Sequence, residues 1–480
     1  MFVAEFTAMT KTLTCICLVA LSLVRLHAQE SLTGRLNAFM DEAVKKDLFS
    51  GNALVLQDGK VVWQITTGMA DRTQGLPNTM ETGFSIGSVT KLFTKIVVLQ
   101  LVAEGKIDLN STLGAYLDGF QPEIAGRVKI SHLINHQSGF GQYYDVPGFN
   151  PEETAVQSAS DFLPWIRREE LLFEPGTGVE YSNSGFVLLA AVAEKVTGKT
   201  YADILQTRIF DKLSMRATGF MYRPERTPGK ALGYLSNQPG PLRDNLGFPL
   251  LGGGDGGIYS TIGDLLEFDR SLTGDNRLLS DAGKLQLFND PLFSREYADW
   301  SSFQKEGSFA VAGGGPGVSA VYSRNNQRNR TVIVLSNYDE GSAETVFKGL
   351  NAILNDMPVP ALQPSASKFI YSLLTEKGAD YFTGNIETEL EQNGYSLDDD
   401  MVLLFAGEAI LEEGKADEAI ALYRFYTEKF PRIVVAWNDL GDAYLLKNDR
   451  ENAKKCFTKA LELRPGNPRA KANLEKIDKN

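Results

Sequence analysis

The stretch Phe84-Ser85-Ile86-Gly87-Ser88-Val89-Thr90-Lys91 runs directly into a largely apolar segment, residues 92–103, which ends at Glu104-Gly105. Residues 96–99 and 101–103 are apolar on all sides and a glycine follows them, which predicts a buried helix. Ser88 falls near the first turn of this helix. Lys91, three residues later, lies on the same face, with about 5–6 Å between the two β-carbons. The stretch therefore predicts a serine nucleophile beside an amine.

Two other serines compete for the role of nucleophile. Ser85 fits the G-x-S-x-G pattern of a nucleophile elbow, which requires a strand of a parallel sheet before it and a histidine late in the chain. No histidine follows His136, so this interpretation is disfavoured. Ser365 begins a second S-x-x-K, which ends at Lys368. That motif lies in a segment rich in proline and small residues, which indicates a linker.

The overall charge narrows the possible partners. The chain has 480 residues, enough for two or three domains, and a formal net charge of −12. Nucleic acids and anionic membranes are bound through Lys and Arg, so we expect neither as a partner. Small molecules or cationic partners fit this charge better.

The N-terminus resembles a secretory signal. Lys11 precedes a mostly apolar segment, residues 13–24, and residues 26–29 fit a cleavage site after Ala28. We therefore expect residues 1–28 to be removed and the protein to be exported, either periplasmic or secreted, with Met1 or Met9 as its start. An apolar segment of about twelve residues is too short to span a bilayer, and a retained anchor is the alternative. Cleavage would leave Cys456 as the one cysteine, so no intramolecular disulfide is expected.

Hydrophobic patterns predict an α+β fold for residues 30–355. Residues 30–46 have helical spacing, and two β-rich runs, 52–56 and 61–65, flank Asp58-Gly59 as in a hairpin. A mostly helical or loop region follows and contains a helix over 183–197. Strands over 318–322 and 331–335 and a helix over 343–354 come late. These elements indicate an antiparallel sheet made from both ends of the domain, flanked by helices, with an inserted helical subdomain and a cleft between the layers.

The C-terminal part is predicted to be an all-α repeat domain, residues 368–480, after a linker over 356–367. Eight residues of the segment 434–467 match the tetratricopeptide pattern: Trp437, Leu440, Gly441, Tyr444, Ala453, Phe457, Ala460 and Pro465. The period of about 34 residues places an earlier repeat at 400–433, with a capping helix over 468–480 and a degenerate helix pair over 368–390. We expect the repeats to bind a protein partner. An ordinary helical hairpin is the alternative.

Other motifs accompany Ser88-x-x-Lys91 further along the chain. Pro175-Gly176 is followed by Tyr181-x-Asn183 and Gly185-Phe186. Together these motifs resemble the serine hydrolases of the class C β-lactamase and penicillin-binding type, including their D-Ala-D-Ala carboxypeptidase and esterase relatives. Residues 128–139 and the glycine-rich residues 253–261 are similar to segments of the same family. The resemblance covers residues 30–355 and implies a β-lactamase/transpeptidase-like fold.

The resemblance implies a role for each candidate residue. Ser88 would form the acyl-enzyme. Lys91 and Tyr181 would share the acid and base work, the phenol being shifted toward phenolate by the ammonium beside it. Asn183 would hold the carbonyl of the substrate through its side-chain amide. For Tyr181, the alternative is a buried tyrosine that is bonded to a carbonyl group.

The third motif of the family, a Lys-Thr-Gly or His-x-Gly on the strand that lines the cleft, is missing. Val311 or Ala312 takes the place of its cation. Gly313 and Gly314 persist, so a second oxyanion N–H can lie beside that of Ser88, because a backbone donor needs no side chain. Without the positive charge, β-lactams and D-Ala-D-Ala peptides, which carry a carboxylate, are disfavoured. Uncharged esters or amides are favoured instead.

We expect no metal and no cofactor. His132 and His136 are four residues apart, but the H-E-x-x-H glutamate and a third ligand are lacking, so structural histidines are favoured over a zinc site. Two alternatives to an active hydrolase remain. One is a catalytically silent cleft that binds peptides or peptidoglycan fragments, with the repeats as an interaction scaffold. The other is a repeat tail that carries the main function, with the hydrolase domain as a platform.

Overall fold

The computed structural model describes residues 31–150, 156–247, 252–292, 296–397 and 401–479, and the signal expected over residues 1–28 lies outside them.

An Asp-Gly turn closes the first hairpin. Strands β1 (Gly51–Gln57) and β2 (Lys60–Thr67) pair antiparallel through Asp58 and Gly59, whose φ angles are 51° and 75°. Two successive residues with positive φ suit the twist of a hairpin. The predicted hairpin is therefore confirmed.

The main sheet joins the two ends of the first domain. The other strands are β3 (Met69–Asp71), β4 (Leu76–Pro77), β5 (Phe84–Ser85), β6 (Gly219–Phe220), β7 (Ile258–Ser260), β8 (Ser308–Gly315), β9 (Val318–Asn325) and β10 (Arg330–Ser336). The main sheet has the strand order β2-β1-β10-β9-β8 and its pairs are antiparallel. Because early β1 pairs with late β10, the predicted sheet topology is confirmed.

A small second sheet lies beside the Ser88 turn. Its strand order is β5-β7-β6, and β5 pairs antiparallel with β7. The sequence did not predict these strands, since two or three residues carry too little periodicity. A nucleophile elbow at Ser85 would need a preceding strand in a parallel sheet. Strand β5, which contains Ser85, pairs antiparallel instead.

Helices cover the sheet and build the inserted subdomain. They are α1 (Leu32–Lys45), α2 (Thr90–Ala103), α3 (Pro122–Ala125), α4 (Ile130–Ile134), α5 (Leu163–Ile166), α6 (Asn183–Thr197), α7 (Tyr201–Leu205), α8 (Asp211–Leu213), α9 (Ile262–Thr273), α10 (Asp281–Phe288), α11 (Trp300–Glu306) and α12 (Ser342–Leu354). Helix α6 has the bounds that the sequence predicted. The part of the chain that the structure describes contains no helix that is both long enough and apolar enough to cross a bilayer.

The two faces of the main sheet pack against different helices. Along β1, Ala53 and Val55 belong to a core with α1 and α12, whereas Leu54 and Leu56 belong to the larger core that contains α2. This division follows from the alternation of side chains along a strand. The sheet therefore lies between a two-helix layer and the helical layer that carries Ser88.

Helix α2 is buried at the centre of the larger core. Every residue from Thr90 to Leu101 is buried, as the apolar run predicted. A short 3₁₀ turn, Gly87–Val89, precedes the helix and carries Ser88. Gly87 has a φ of 48° and a Cβ at that position would lie 2.8 Å from the carbonyl carbon of Gly313, so only glycine fits there.

The C-terminal helices form their own hydrophobic core. They are α13 (Ala366–Gln392), which is interrupted at Gly378, α14 (Met401–Glu412), α15 (Ala416–Lys429), α16 (Val434–Leu446), α17 (Arg450–Leu463) and α18 (Pro468–Lys479). Ser365 caps α13, and the hydroxyl groups of Ser365 and Ser367 donate hydrogen bonds to the carbonyl oxygen of Asn237. The second S-x-x-K is thus a helix start that contacts the first domain. The division into domains at residues 355 and 367 stays a prediction.

Candidate active site

Ser88 lies between the two side chains that the sequence assigned to it. Lys91 Nζ is 3.0 Å from Ser88 Oγ, and the hydroxyl of Tyr181 donates a hydrogen bond to Ser88 Oγ over 2.6 Å. Helix α2 places Ser88 and Lys91 one turn apart, whereas Tyr181 comes from the segment just before α6. Residues 93 positions apart in the sequence therefore meet at one oxygen atom.

The surroundings of Lys91 suit a neutral amine. Lys91 Nζ donates to Asn183 Oδ1 over 2.6 Å and to the carbonyl oxygen of Asp255 over 2.9 Å. A neutral amine has two N–H groups and one lone pair, so these two acceptors leave the lone pair for the hydroxyl of Ser88. Burial lowers the pKa of Lys91 to about 8, although the nearby carboxyl of Asp255 acts in the opposite direction. Lys91 can therefore act as a base at mildly alkaline pH.

Tyr181 behaves differently from the expectation. The sequence predicted a phenol shifted toward phenolate, but burial raises the pKa of Tyr181 well above its ordinary value, and the hydrogen bond with Ser88 opposes this only in part. The prediction is wrong because the loss of hydration on burial, together with the negative charge of Asp255, outweighs the hydrogen bond with Ser88. Tyr181 is therefore a neutral hydrogen-bond donor. Its ring stacks on His136 with the centroids 5.2 Å apart, which fixes its position.

Both candidate zinc histidines are engaged with backbone N–H groups. His136 Nδ1 accepts from Ser182 N–H over 3.1 Å, and His132 Nδ1 accepts from Lys129 N–H over 3.3 Å. Burial and the charge of Lys95 lower the pKa of His136 to about 3, so this imidazole is neutral. Among the residues with described positions, no three His, Cys, Asp or Glu side chains are grouped to hold a metal ion.

Asn183 has both amide hydrogens occupied. Its Nδ2 donates to Gln142 Oε1 over 2.7 Å and to the hydroxyl of Tyr144 over 3.1 Å, while its Oδ1 accepts from Lys91. A substrate carbonyl would have to replace one of these acceptors. Tyr144 is half exposed, with a relative accessibility of 49%, so its hydroxyl is the easier one to displace.

The free edge of β8 approaches the turn that carries Ser88. A Cβ on Gly313 would lie 2.6 Å from the backbone nitrogen of Ser88, and a Cβ on Gly87 would lie 2.9 Å from the backbone nitrogen of Gly314. Strand β8 is at the edge of the sheet, since β9 pairs with only one of its sides. The end of β8 at Gly313 and Gly314 therefore packs against the backbone of Gly87 and Ser88. A second oxyanion N–H from this region, beside that of Ser88, stays a prediction.

No cation stands at the third-motif position. Val311 and Ala312 line a small cavity together with Ser88. Lys95 lines the same cavity from α2, but it forms an ion pair with Asp290, and both side chains are buried. The positive charge beside Val311 is therefore already neutralised inside the protein.

A larger cavity of about 430 Å³ opens in front of Ser88. Its walls come from the turn of Ser88, the loop after α4, the segment before β7 and the end of β8. Among its lining residues are Ser85, Tyr143, Tyr144, Phe149, Asn183, Met221, Lys230, Tyr259, Gly314 and Glu340. The mixture of aromatic walls and a few polar groups is typical of a small-molecule site.

Sequence reasoning missed several residues of this site. Gln142 and Tyr144 hold Asn183, and the Asp255 carbonyl holds Lys91. Asp255 lies inside the glycine-rich segment 253–257, which the sequence had marked without assigning it a role. Lys95 follows Lys91 by one helical turn, so helical spacing alone could have suggested it.

Comparisons with known proteins agree with this geometry. The model of the beta-lactamase family matches residues 36–353, and a tetratricopeptide repeat model matches residues 434–467. The chain therefore belongs to the beta-lactamase family of serine hydrolases and carries a tetratricopeptide repeat near its C-terminus. Penicillin-binding protein 4* of Bacillus subtilis (strain 168) is 30% identical over 348 residues, which are 68% of this chain and 76% of that protein.

Esterases and structures of penicillin-binding proteins are also similar. Esterase EstB of Burkholderia gladioli is 32% identical over 237 residues, 46% of this chain and 59% of the esterase. The D-aminopeptidase of Brucella anthropi is 29% identical over 326 residues, 63% of this chain and 59% of that enzyme. The crystal structure of a penicillin-binding protein from Bacillus halodurans matches with a TM-score of 0.56 at 29% identity, covering 65% of this chain and 98% of that one.

Proposed function

We propose that this protein is an exported serine hydrolase that forms an acyl-enzyme on Ser88 with ester or amide substrates. One observation carries the proposal, namely that Ser88 Oγ is within hydrogen-bond distance of both Lys91 Nζ and the hydroxyl of Tyr181. A serine hydroxyl needs an adjacent base to become a nucleophile. Lys91 supplies that base and Tyr181 a proton donor.

Acylation begins with the removal of the Ser88 proton. Neutral Lys91 takes the proton while Ser88 Oγ bonds to the substrate carbonyl carbon, and the carbonyl oxygen becomes an oxyanion near the backbone N–H groups of Ser88 and Gly314. The tetrahedral intermediate then collapses and the leaving group departs with a proton. Tyr181 donates that proton to the leaving group and takes a proton from the Lys91 ammonium, so Lys91 is neutral again.

Deacylation repeats these steps with water. A water molecule that takes the place of the leaving group gives its proton to Lys91 through Tyr181 and attacks the acyl carbon. The Ser88–acyl bond breaks, Ser88 Oγ regains the proton, and the carboxylic acid leaves. The same two side chains therefore serve both halves of the reaction.

The substrate class follows from the charges around Ser88. The missing third-motif cation at Val311 and Ala312 gives no support for substrates that carry a carboxylate near the scissile bond. Relatives named as an esterase and as D-aminopeptidases support esters and amides instead. The signal-like residues 1–28 support export to the periplasm or the medium, and the repeats support a protein partner outside the catalytic domain.

A fluorophosphonate probe tests the nucleophile. We expect wild type and Ser85→Ala to be labelled, because Ser85 shares the cavity but lacks a base beside it. Ser88→Ala should remain unlabelled, and the peptide that carries the label should contain Ser88. Labelling that survives in Ser88→Ala, or no labelling of wild type between pH 6 and pH 10, would overturn the proposal in favour of a silent cleft.

A further inference from the structure

Two side chains of helix α2 hold the glycine-rich segment that carries Asp255. The hydroxyl of Thr94 donates to the carbonyl oxygen of Gly254, and Lys91 Nζ donates to the carbonyl oxygen of Asp255 over 2.9 Å. On the opposite side the segment packs on α6, since a Cβ on Gly254 would lie 2.6 Å from Cβ of Ala190. Asp255 is therefore held in one position directly beside the amine of Lys91.

The carboxyl group of Asp255 is buried with few hydrogen-bond partners. Asp255 has a relative accessibility of 7% and lines the cavity in front of Ser88. Its Oδ2 accepts from the hydroxyl of Tyr143 over 3.4 Å. Among the described groups, none donates a regular hydrogen bond to Oδ1, although the backbone N–H groups of Asp255 and Gly256 favour the ionised form. A buried carboxylate of this kind is costly unless a cation lies close by.

Lys91 is the cation that lies beside Asp255. The positive charge of Lys91 lowers the pKa of Asp255 against the larger effect of burial, which raises it. In turn, the negative charge of Asp255 raises the pKa of Lys91 against the larger effect of burial, which brings it to about 8. Each group therefore favours the charged form of the other.

The other titratable groups around this pair are neutral or balanced. Burial raises the pKa of four surrounding phenols, so they stay protonated. They are Tyr143, Tyr144, Tyr181 and Tyr201. His136 is neutral, and Lys95 is paired with Asp290. The wider cavity also contains two cations and two carboxylates whose formal charges cancel, namely Arg223, Lys230, Glu225 and Glu340.

The charge of Lys91 changes during the reaction, whereas Asp255 stays in place. When Lys91 takes the proton of Ser88, the amine becomes an ammonium while Ser88 Oγ bonds to the substrate carbonyl carbon. Positive charge thus grows beside the buried carboxylate of Asp255. Because the amine is neutral before this step, the attraction is stronger in the transition state than in the ground state, which is the condition for a faster reaction.

We propose that Asp255 is a positioning residue for the hydrolase reaction. Its backbone carbonyl aims the amine of Lys91 at Ser88, and its carboxylate is the counter-ion of the ammonium that Lys91 becomes. This inference rests on the proposed hydrolase function and adds a residue that acts through the base. The resemblance to the family assigned Asp255 no role.

The pH profile of Asp255→Asn tests the inference. Without the carboxylate, the pKa of Lys91 should fall by about one unit, so the alkaline limb of kcat/KM moves to lower pH. The weaker base should lower the plateau at pH 9 by about tenfold. At pH 6 the larger neutral fraction of Lys91 compensates, and activity should stay close to that of wild type. An unmoved limb with the same loss at pH 6 and pH 9 would overturn the inference.

Glu340→Gln is the matched control, because it removes the same charge from the same cavity. Burial and Asp255 alone shift the pKa of Lys91, so the limb should stay in place in this variant. An equal shift in Glu340→Gln would overturn the inference. Asp255→Glu keeps the charge and should keep the limb near or above pH 8. If Asp255→Asn does not fold, Asp255→Ser removes the same charge and carries the same expectation.

The Ser88→Ala protein separates this inference from the proposed function. Its lysines are labelled with ¹³C at Cε and titrated by NMR, and the Lys91 signal is assigned by its loss in Lys91→Arg. Adding Asp255→Asn to Ser88→Ala should lower the pKa of Lys91 by about one unit. If wild type has no Ser88-dependent turnover, the proposed function fails, and this titration still decides the role of Asp255. An unchanged pKa overturns that role whatever the activity.

Discussion

Lys91 Nζ donates a 2.6 Å hydrogen bond to Asn183 Oδ1, so one amide group holds the proposed catalytic base and also presents its Nδ2 to the cleft. Nδ2 donates hydrogen bonds to Gln142 and Tyr144, and the amide oxygen Oδ1 therefore faces the amine of Lys91. The amide orientation is thereby fixed from both ends. Asn183 therefore contacts both the amine of Lys91 and the side chains of Gln142 and Tyr144 at the cleft.

The pH dependence of wild type should report Lys91. Because burial lowers the pKa of Lys91 to about 8, and only the neutral amine can accept the Ser88 proton, kcat/KM should rise with pH and level off above about pH 8. A pH profile of ester hydrolysis, corrected for spontaneous hydrolysis, measures this. A limb near pH 4 to 5 would instead indicate a carboxylate base.

Asn183→Asp should move that limb to higher pH. A carboxylate in contact with Lys91 favours the ammonium form and raises its pKa by about 1–3 units, so the neutral base appears only at more alkaline pH. Gln142→Glu is the control, since it adds the same charge one hydrogen bond further from Lys91 and should shift the limb less. Equal shifts in the two variants would contradict direct contact between Asn183 and the base.

Tyr181→Phe should separate good from poor leaving groups. The variant keeps the ring that stacks on His136 but loses the hydroxyl, so proton delivery to the leaving group is lost while Lys91 remains. We expect kcat/KM to fall by about 10²–10⁴ for alkyl esters or amides and much less for p-nitrophenyl esters, whose leaving group needs no proton. An equal loss for both substrate types would assign Tyr181 a structural role.

Gly313→Ala tests the backbone approach at the oxyanion region. The new Cβ would lie 2.1 Å from the carbonyl oxygen of Ile86 and 2.6 Å from the backbone nitrogen of Ser88, so β8 must move away from the turn. We expect a loss of about 10²–10³ in kcat, measured with a saturating ester. Gly263→Ala in α9 is the control, because its Cβ would meet nothing nearer than 3.9 Å and activity should be retained.

Local patterns predicted much of this molecule but not the contacts between distant segments. The Asp58-Gly59 hairpin and the helix from Asn183 to Thr197 follow from turn residues and helix ends, which act over a few residues. The short strand β5 and the Tyr144–Asn183 contact depend on tertiary packing and have no local signal. The sequence predicted the wrong direction for the pKa shift of Tyr181, because the degree of burial of a phenol cannot be read from its neighbours in the sequence.

Lys95 and Asp290 should each stabilise the fold by neutralising the buried charge of the other. Both side chains are buried, with relative accessibilities of 3% and 6%, so removing one partner leaves an uncompensated group in the core. Lys95→Met and Asp290→Asn should each lower the free energy of unfolding by about 3–5 kcal/mol, measured by urea denaturation. Asn at position 290 keeps an acceptor for Leu292 N–H, which Asp290 Oδ1 now binds. The double variant should therefore lose much less than the sum of the two single losses, and additive losses would show that the ion pair carries no coupling.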